Sequence, residues 1–509
     1  MAELTVTVFS HHFAVSKISG RSHAAVQEFA RRYVQYGVIK QGRQWVRVAT
    51  KVYAAASRDR TVYRFHINQM EDFEHHLKRH FLKDTEERVI QPYKVIDPVT
   101  LEIKPEWVPR DDQMPVIEYI CADNPHISRF VDLQTGKGKS FITMYSAAKL
   151  RARAIYIFRP MYLDKWVIDI RKTYNIAHED LMTVQGSGEL IEFLELMRTG
   201  EWAGKVVLVS NKTFQNFLKL YEEHQDGILD MGYACTPPEF FEFVGSSLRV
   251  IDEVHQDFHL NFKIDLYSHV QRSVSLSATM ISDDPFVERM QNLAYPSDKR
   301  YQGGVYDKYI ATRAVFYQLE NPQLVKYKQN SNYSHNVYEH SIMKVPRMLN
   351  NYIRIIVRLL ETTWLREDYY KPGDRAVVFC ASIDLCTLLT DRLQQHFTKF
   401  TVMRYVGSLN DPYDNLMNPD LRVTTHGSAG TAVDIPELTV TIMSLALKSS
   451  SGSLQNLGRL RKLKDGREPL YVYMNCSDIP KHIEYHEHRQ KLLDGKTTNY
   501  RVDRIGIVV

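Results

Sequence analysis

Apolar and polar positions change rhythm twice along this chain. Leu4 to Phe9 alternates as a half-buried strand does, and Ser22 to Tyr36 repeats its apolar residues at helical spacing. The Val-rich run Gln44 to Ala54 and the run Thr61 to Ile67 read as strands, and Met70 to Phe81 reads as a second helix. Together these elements predict a small α+β domain over residues 1–95. Pro92, Pro98, Pro105 and Pro109 then break any long helix and give an extended connector.

From about residue 110 the texture is short apolar runs separated by amphipathic helices. Phe130 to Leu133, Ala154 to Phe158, Val206 to Ser210, Leu248 to Ile251 and Val274 to Leu276 carry few polar positions. Strands apolar on both faces belong in a mostly parallel sheet covered by helices. A looser stretch at 295–309 interrupts the rhythm, which resumes with Ala376 to Cys380, Thr401 to Tyr405, Val440 to Met443 and Leu470 to Met474. Arg347 to Leu365 has the apolar stripe of a packed helix, with Pro346 at its start. The prediction is an α/β protein of two consecutive lobes, 96–305 and 306–509, the second ending in a helix; no sequence-level repeat is visible.

Chemistry enters at the end of the first of these strands. Leu133-Gln134-Thr135-Gly136-Lys137-Gly138-Lys139-Ser140 joins a strand to a helix predicted over Phe141 to Leu150. Glycines there let successive backbone N–H groups converge on phosphate oxygens, and the helix N-terminus adds favourable partial charge. Lys139 would reach the β- and γ-phosphates of ATP, and the Ser140 hydroxyl would ligate Mg²⁺. Glycine is usual where Leu133 stands. Asp252-Glu253-Val254-His255 follows the apolar strand Leu248 to Ile251. Nucleotide hydrolysis needs one carboxylate for Mg²⁺ and a second group for the attacking water, roles that Asp252 and Glu253 fit. His255 would couple this site to the neighbouring lobe.

Composition narrows the setting. The 509 residues exceed one ordinary core, and 44% hydrophobic with 25% charged residues is ordinary for a globular protein. A net charge of +5 permits a polyanionic partner. Five scattered cysteines without a CxxC pair argue against a zinc site or disulfide framework, and no secretory leader or run of roughly 20 apolar residues is present. A cytoplasmic protein without membrane contact is expected.

The phosphate loop, the DEVH box and then Ser277-Ala278-Thr279, in that order, resemble motifs I, II and III of superfamily 2 helicases and translocases. Arg110-Asp111-Asp112-Gln113 is similar to the family's R-x-Y-Q element, with Asp112 in place of the aromatic residue. Arg159-Pro160 with Leu163 and Trp166, and then Ser210 to Thr213, resemble segments that touch the nucleic-acid backbone. In the second lobe Val377 to Ser382 resembles motif IV, Thr425 to Pro436 motif V, and Gln455 to Arg461 motif VI. Ala432 stands where glycine is commoner. Arg461 follows Arg459 by two positions, leaving Lys462 in the usual place of the second arginine.

The resemblance covers roughly residues 110 to 475 and implies two tandem RecA-like P-loop lobes with ATP held between them. It implies that Gln113 recognises adenine, that Gln134, Thr135, Gly136, Lys137, Gly138 and Asp434 join Lys139 and Ser140 in binding ATP, and that Gln455, Arg459 and Arg461 act on it from the second lobe. Ser277 and Thr279 would couple ATP to the track, and Arg159, Pro160, Thr213, Ser382 and Thr425 would contact nucleic acid. The N-terminal unit and the motif V wording are similar to phage recombination and branch-migration helicases of the UvsW kind.

The expectation is an ATP-dependent DNA helicase or translocase, acting on single-stranded, duplex or branched DNA of recombination or replication, monomeric, in a host cytoplasm if of phage origin. An RNA helicase, a duplex translocase that does not unwind, and a scaffold with a degenerate ATP site stay open. Arg31, Arg32, Tyr33, Lys40, Arg43, Trp45, Arg47, Lys51, Tyr53, Arg58, Arg60, Tyr63 and Arg64 mix cations and aromatics in the N-terminal unit, as a DNA grip or as a solvated face over aromatic core. His482, His486 and His488 read as a surface helix rather than a metal site.

Overall fold

The apolar runs become strands buried on both faces, and their order explains where the chemistry collects. The computed structural model describes residues 3–42, 44–83, 86–123, 128–278, 280–303, 306–406, 411, 414–428 and 435–509, apart from the side chains of Gln302 and Ser451. The chain divides into two compact units, residues 1–133 with 137–303, and residues 134–136 with 304–509.

In the first unit, β1 (Leu4–Val8), β2 (His12–Ser16), β3 (Val34–Gln41), β4 (Gln44–Val52), β5 (Ala55–Ala56), β6 (Tyr63–His66) and β7 (Glu86–Ile90) belong to the N-terminal region. Five of them form a mixed sheet in the order β5-β6-β2-β1-β7. Helices Gly20–Arg31 and Met70–Arg79 cover it, and Phe13, Phe29, Phe65 and Phe73 form the core between. The helix expected to run to Tyr36 stops at Arg31; Tyr36 lies in β3, which pairs antiparallel with β4 as a separate two-stranded ribbon. Tyr36, Val38 and Ile39 favour a strand when a partner is in reach, and the partner here overrides local helical spacing.

The first lobe follows with β8 (Ser128–Asp132), β9 (Ala154–Phe158), β10 (Leu181–Val184), β11 (Val206–Ser210), β12 (Leu248–Ile251), β13 (Arg272–Ser277) and β14 (Arg300–Gln302). All pairings are parallel, in the order β10-β11-β9-β12-β13-β8-β14. The second unit has β15 (Ala311–Gln318), a small ribbon of β16 (Lys328–Gln329) and β17 (Asn332–Tyr333), then β18 (Arg375–Cys380), β19 (Val402–Tyr405), β20 (Leu421–Thr425), β21 (Leu438–Met443), β22 (Leu470–Cys476) and β23 (Asn499–Val508). Its sheet, also parallel, runs β19-β20-β18-β21-β22-β15-β23. With the small ribbon set aside, both sheets have one strand order: third, fourth, second, fifth, sixth, first, seventh. The repeat is in topology and not in sequence. These are two RecA-like lobes in tandem, with a mixed-sheet α+β domain before them.

A buried polar cluster fixes the N-terminal domain to the first lobe. Arg249 of β12 is 1% exposed and pairs with Asp265, while its Nη1 donates to Ser268 Oγ at 2.5 Å. His66 of β6 lies 3.7 Å from Asp265, His11 Nε2 shares a proton with Ser273 Oγ at 2.7 Å, and His12 Nδ1 donates to the Ser268 carbonyl at 3.2 Å. Burial alone would raise the Asp265 pKa, but Arg249 and then His66 hold it well below the usual carboxylate range. Burial first, then Arg249 for His11 and Arg64 for His12, keeps both histidines neutral.

In the second unit, helix Pro346–Thr363 buries Tyr352, Ile356 and Leu360 as its spacing foretells. Helix Pro480–Leu493 departs from expectation: it is not simply a surface helix, because His482 and His486 face the core. His482 Nδ1 accepts from the Cys476 amide at 2.9 Å and its Nε2 meets Tyr333 Oη at 2.5 Å, while His486 Nδ1 meets Tyr473 Oη at 3.0 Å. Both ring nitrogens of His482 are thereby engaged, and one of His486. All five cysteines are free thiols, and among the described residues no helix is long and apolar enough to cross a membrane.

Candidate active site

Because every strand of the first sheet runs the same way, the segments after β8, β9, β11, β12 and β13 emerge at one edge. That edge is where open α/β sheets place their ligands. Only β13 separates β8 from β12, so the phosphate loop and the DEVH box start roughly 10 Å apart.

Helix Lys139–Leu150 begins at the end of the loop, with Gly138 as its N-cap. Gly136 and Gly138 have φ of +91° and +80°, a region that side chains rarely adopt. A Cβ on Gly138 would also come within 2.4 Å of Gln113 Nε2. Gln113, 2% exposed, donates to the Lys137 carbonyl at 3.0 Å and accepts from the Arg110 amide at 3.0 Å. Arg110 adds a bond to the same carbonyl at 3.1 Å, and its Nε reaches Asp112 at 3.0 Å. The R-D-D-Q element is therefore a brace for the loop backbone. Leu133 is accommodated in place of glycine because its side chain is buried beside Gly303. The Gln134 amide bonds the Asp307 backbone in both directions, 3.1 and 3.0 Å, and Gln134, Thr135 and Gly136 accordingly group with the second unit.

Lys139 is buried, donating to the Leu133 carbonyl at 3.3 Å, and its Nζ lies 4.0 Å from Glu253 Oε1. Asp252 is also buried. Burial pushes its pKa up, Lys165 pulls it down, and Glu253 pushes up again. The Trp166 indole donates to Asp252 Oδ2 at 3.2 Å. Glu253 takes φ of +49° and Asp257 +53°, two strained residues within one short loop. His255 sits 3.4 Å from Glu253 Oε2 and 2.7 Å from Ser277 Oγ, and burial lowers its pKa to about 3, so it is neutral. Arg159 ties the segment after β9 to the same loop, through Gln256 at 2.9 Å and Asp257 at 3.1 Å. Pro160 opens a short turn, and its carbonyl accepts from Gln185 at 3.0 Å. Thr213 is 2% exposed, with its hydroxyl accepting from the Gly186 amide at 2.7 Å and lying 2.8 Å from Ser210 Oγ. Ser140 is half-buried at the second position of its helix.

A hydroxyl at Ser140 and a carboxylate at Asp252 are oxygen donors of the kind that Mg²⁺ takes, and the loop between β8 and Ser140 turns on two glycines whose positive φ a side chain would strain. Elsewhere among the described residues Glu28, His76 and His80 could share a metal ion, but both His76 nitrogens are engaged, by Arg32 at 2.7 Å and the Ala25 carbonyl at 2.8 Å.

The second unit assembles its own cluster. Ser382 caps helix Ile383–His396 and, like the Ala381 amide, is held by buried Glu339, which accepts bonds of 2.7 to 2.8 Å. Burial raises the Glu339 pKa to about 7 against those bonds. Thr425 Oγ1 donates to Ser428 Oγ at 2.5 Å. Ser382, Thr425 and His426 line a cavity of about 620 Å³. Gln455 is half-buried on helix Ser450–Leu457. Arg459, 3% exposed, places its guanidinium 5.2 Å over Phe379 with Nε 3.3 Å from Asn456, whose amide meets His426 at 3.0 Å. Arg461 donates to the Gly458 carbonyl. Asp434 and Thr279 lie outside the described residues. Sequence reading gave no role to Gln256 and Asp257, just after the DEVH box, to Asn456 inside the motif VI stretch, or to Glu339, which carries no local signal.

The sheets that carry these clusters are two RecA-like lobes of one strand order. No family model matches the sequence, and no curated protein does. Among solved structures, S. cerevisiae Dbp5 bound to RNA and ADP–BeF3 is similar at 12% identity and a TM-score of 0.48, over 78% of this chain and 90% of that one. T4 UvsW is similar at 13% identity and a TM-score of 0.32, over 99% of this chain and 100% of that one.

Proposed function

We propose that this chain is an ATP-driven motor that moves along or remodels nucleic acid, a helicase or translocase with DNA as its track. The observation that carries the reading is the cluster of Lys139, Asp252 and Glu253 beside a left-handed glycine loop, in which a buried cation and two carboxylates converge. Phosphate would be held by backbone N–H groups of the loop and by Lys139. Ser140 and Asp252 would hold Mg²⁺, which supplies charge neutralisation at the phosphates. Glu253 would orient the attacking water and take its proton, with neutral His255 linking it to Ser277. Gln455, Arg459 and Arg461 are the second unit's proposed contribution to the charge that develops on the transferring group. Arg159 is the proposed backbone contact that reports on the track, because it is bonded directly to the acidic loop. DNA is favoured by the resemblance of the N-terminal domain and of motif V to phage recombination helicases.

The test is ATP turnover by the purified chain, alone and with single-stranded DNA, duplex, fork, four-way junction or RNA. Stimulation is expected with DNA, strongest on the preferred structure, weakened by salt. Lys139→Ala should lower turnover by about 10²-fold or more. No turnover with any nucleic acid, or robust turnover by the variant, contradicts the reading; stimulation by RNA alone moves the track to RNA.

A further inference from the structure

The ribbon of β3 and β4 is the largest element that the motor chemistry leaves unused. Among the described residues it pairs with no third strand and stands as its own sheet. Its base is fixed: Gln35 donates to Asp284 at 2.6 Å, the Val52 amide donates to His259 at 3.1 Å, and Tyr53 packs edge-on against Phe262. Phe262 and His259 lie on helix Phe258–Asp265, immediately after the DEVH loop. From that anchor, eight residues of β3 at about 3.3 Å each reach roughly 25 Å.

Register sorts the side chains. Lys40 pairs with Trp45, Val38 with Arg47, and Tyr36 with Ala49, so these six share one face. That face is exposed throughout, with Trp45 at 70% and Val38 at 63%. Arg47 lies 4.4 Å over the Tyr36 ring, which holds cation and aromatic together as one flat surface. The glutamines, Gln41 and Gln44, pair on the opposite face. Arg31, Arg32, Lys40, Arg43, Arg47, Lys51 and Arg58 fall in a stretch of 28 residues that contains no Asp or Glu. Arg43 lies outside the described residues.

We propose that this ribbon face binds nucleic acid at unpaired bases, Trp45 stacking on a base at the edge of a duplex while Lys40 and Arg47 meet the adjoining phosphates. An acid-free run of cations complements a polyanion, with no carboxylate in the run to repel it. An apolar, planar face matches the π-face of a base, which a duplex hides and a fork or single strand exposes. The inference rests on the reading of the chain as a nucleic-acid motor, but concerns binding and not turnover.

The test is equilibrium binding without nucleotide, in the Lys139→Ala background as well as the wild type, of oligothymidylate, a forked duplex and a blunt duplex. Trp45→Ala should weaken oligothymidylate and fork by about 5- to 100-fold and leave blunt duplex within twofold, with Trp45→Phe between. Trp45 and Trp107 are the exposed tryptophans among the five, so oligothymidylate should quench a fluorescence component that Trp45→Phe removes. Equal weakening on all three probes, or no change on any, overturns the proposal. Binding that follows the predicted pattern in a chain without nucleic-acid-stimulated turnover would keep the ribbon and discard the motor.

Discussion

Trp166→Phe isolates one hydrogen bond at the proposed metal site. The indole is fully buried, 4.8 Å from the Tyr156 ring and 6.2 Å from Phe158, and its only change in polarity on substitution is loss of the N–H that donates to Asp252 Oδ2 at 3.2 Å. A hydrogen bond to a charged group is worth about 1.5–3 kcal/mol, or roughly 10- to 150-fold in an equilibrium constant. Loss of a partner that orients a metal ligand typically costs about 10- to 100-fold in metal affinity. The two estimates agree, so the Mg²⁺ concentration for half-maximal turnover should rise about 10- to 100-fold, and Mn²⁺ binding followed by paramagnetic resonance should weaken in step. The smaller ring also leaves a void that lowers the melting temperature, but a void does not change Mg²⁺ dependence. A folded Trp166→Phe protein whose Mg²⁺ midpoint stays within twofold of wild type would refute the positioning role.

Two further perturbations address stability. Asp265→Ala strands the buried Arg249 charge and should cost about 3–5 kcal/mol in the first unit, whereas the double change Asp265→Leu with Arg249→Met should restore most of it in thermal unfolding; equal losses in both would remove the ion pair from the account. Two buried carboxylates, one in each unit, should contribute to stability with opposite pH dependence. Asp265 has a depressed folded pKa, so its contribution is present above its unfolded value near 3.9 and is lost as pH falls. Glu339 has a folded value raised to about 7, so its contribution is full below the unfolded value near 4.3 and is lost as pH rises through 7. On the order of 3 kcal/mol should disappear from the second unit across that window, and Glu339→Gln should flatten the slope; an unchanged slope contradicts the assignment.

How much of this was legible depends on the range of the contacts. The phosphate loop and DEVH box are local patterns at strand ends, and parallel pairing brings them to one edge without further instruction. The lobes were visible as buried apolar runs, but their shared strand order was not, because topology leaves no trace in residue identity. Tyr36 was misread as helical since β3 depends on pairing with β4, and β7, written Glu-Glu-Arg-Val-Ile, has too little apolar character to announce a strand. Trp166 resembles a nucleic-acid contact by position; only folding carries it 86 residues along the chain to Asp252. His482 and His486 show helical spacing, yet the tyrosines that bury them come from distant strands.

Glu253→Gln tests the chemistry most directly, since it keeps the shape of the side chain and removes its capacity to take a proton. Binding of a fluorescent ATP analogue and release of inorganic phosphate, measured on the same preparation, should diverge: affinity within a few-fold of wild type, and phosphate release down about 10²-fold or more. Phosphate release by Glu253→Gln at the wild-type rate would contradict the assignment of Glu253 and, with it, the site built around Lys139.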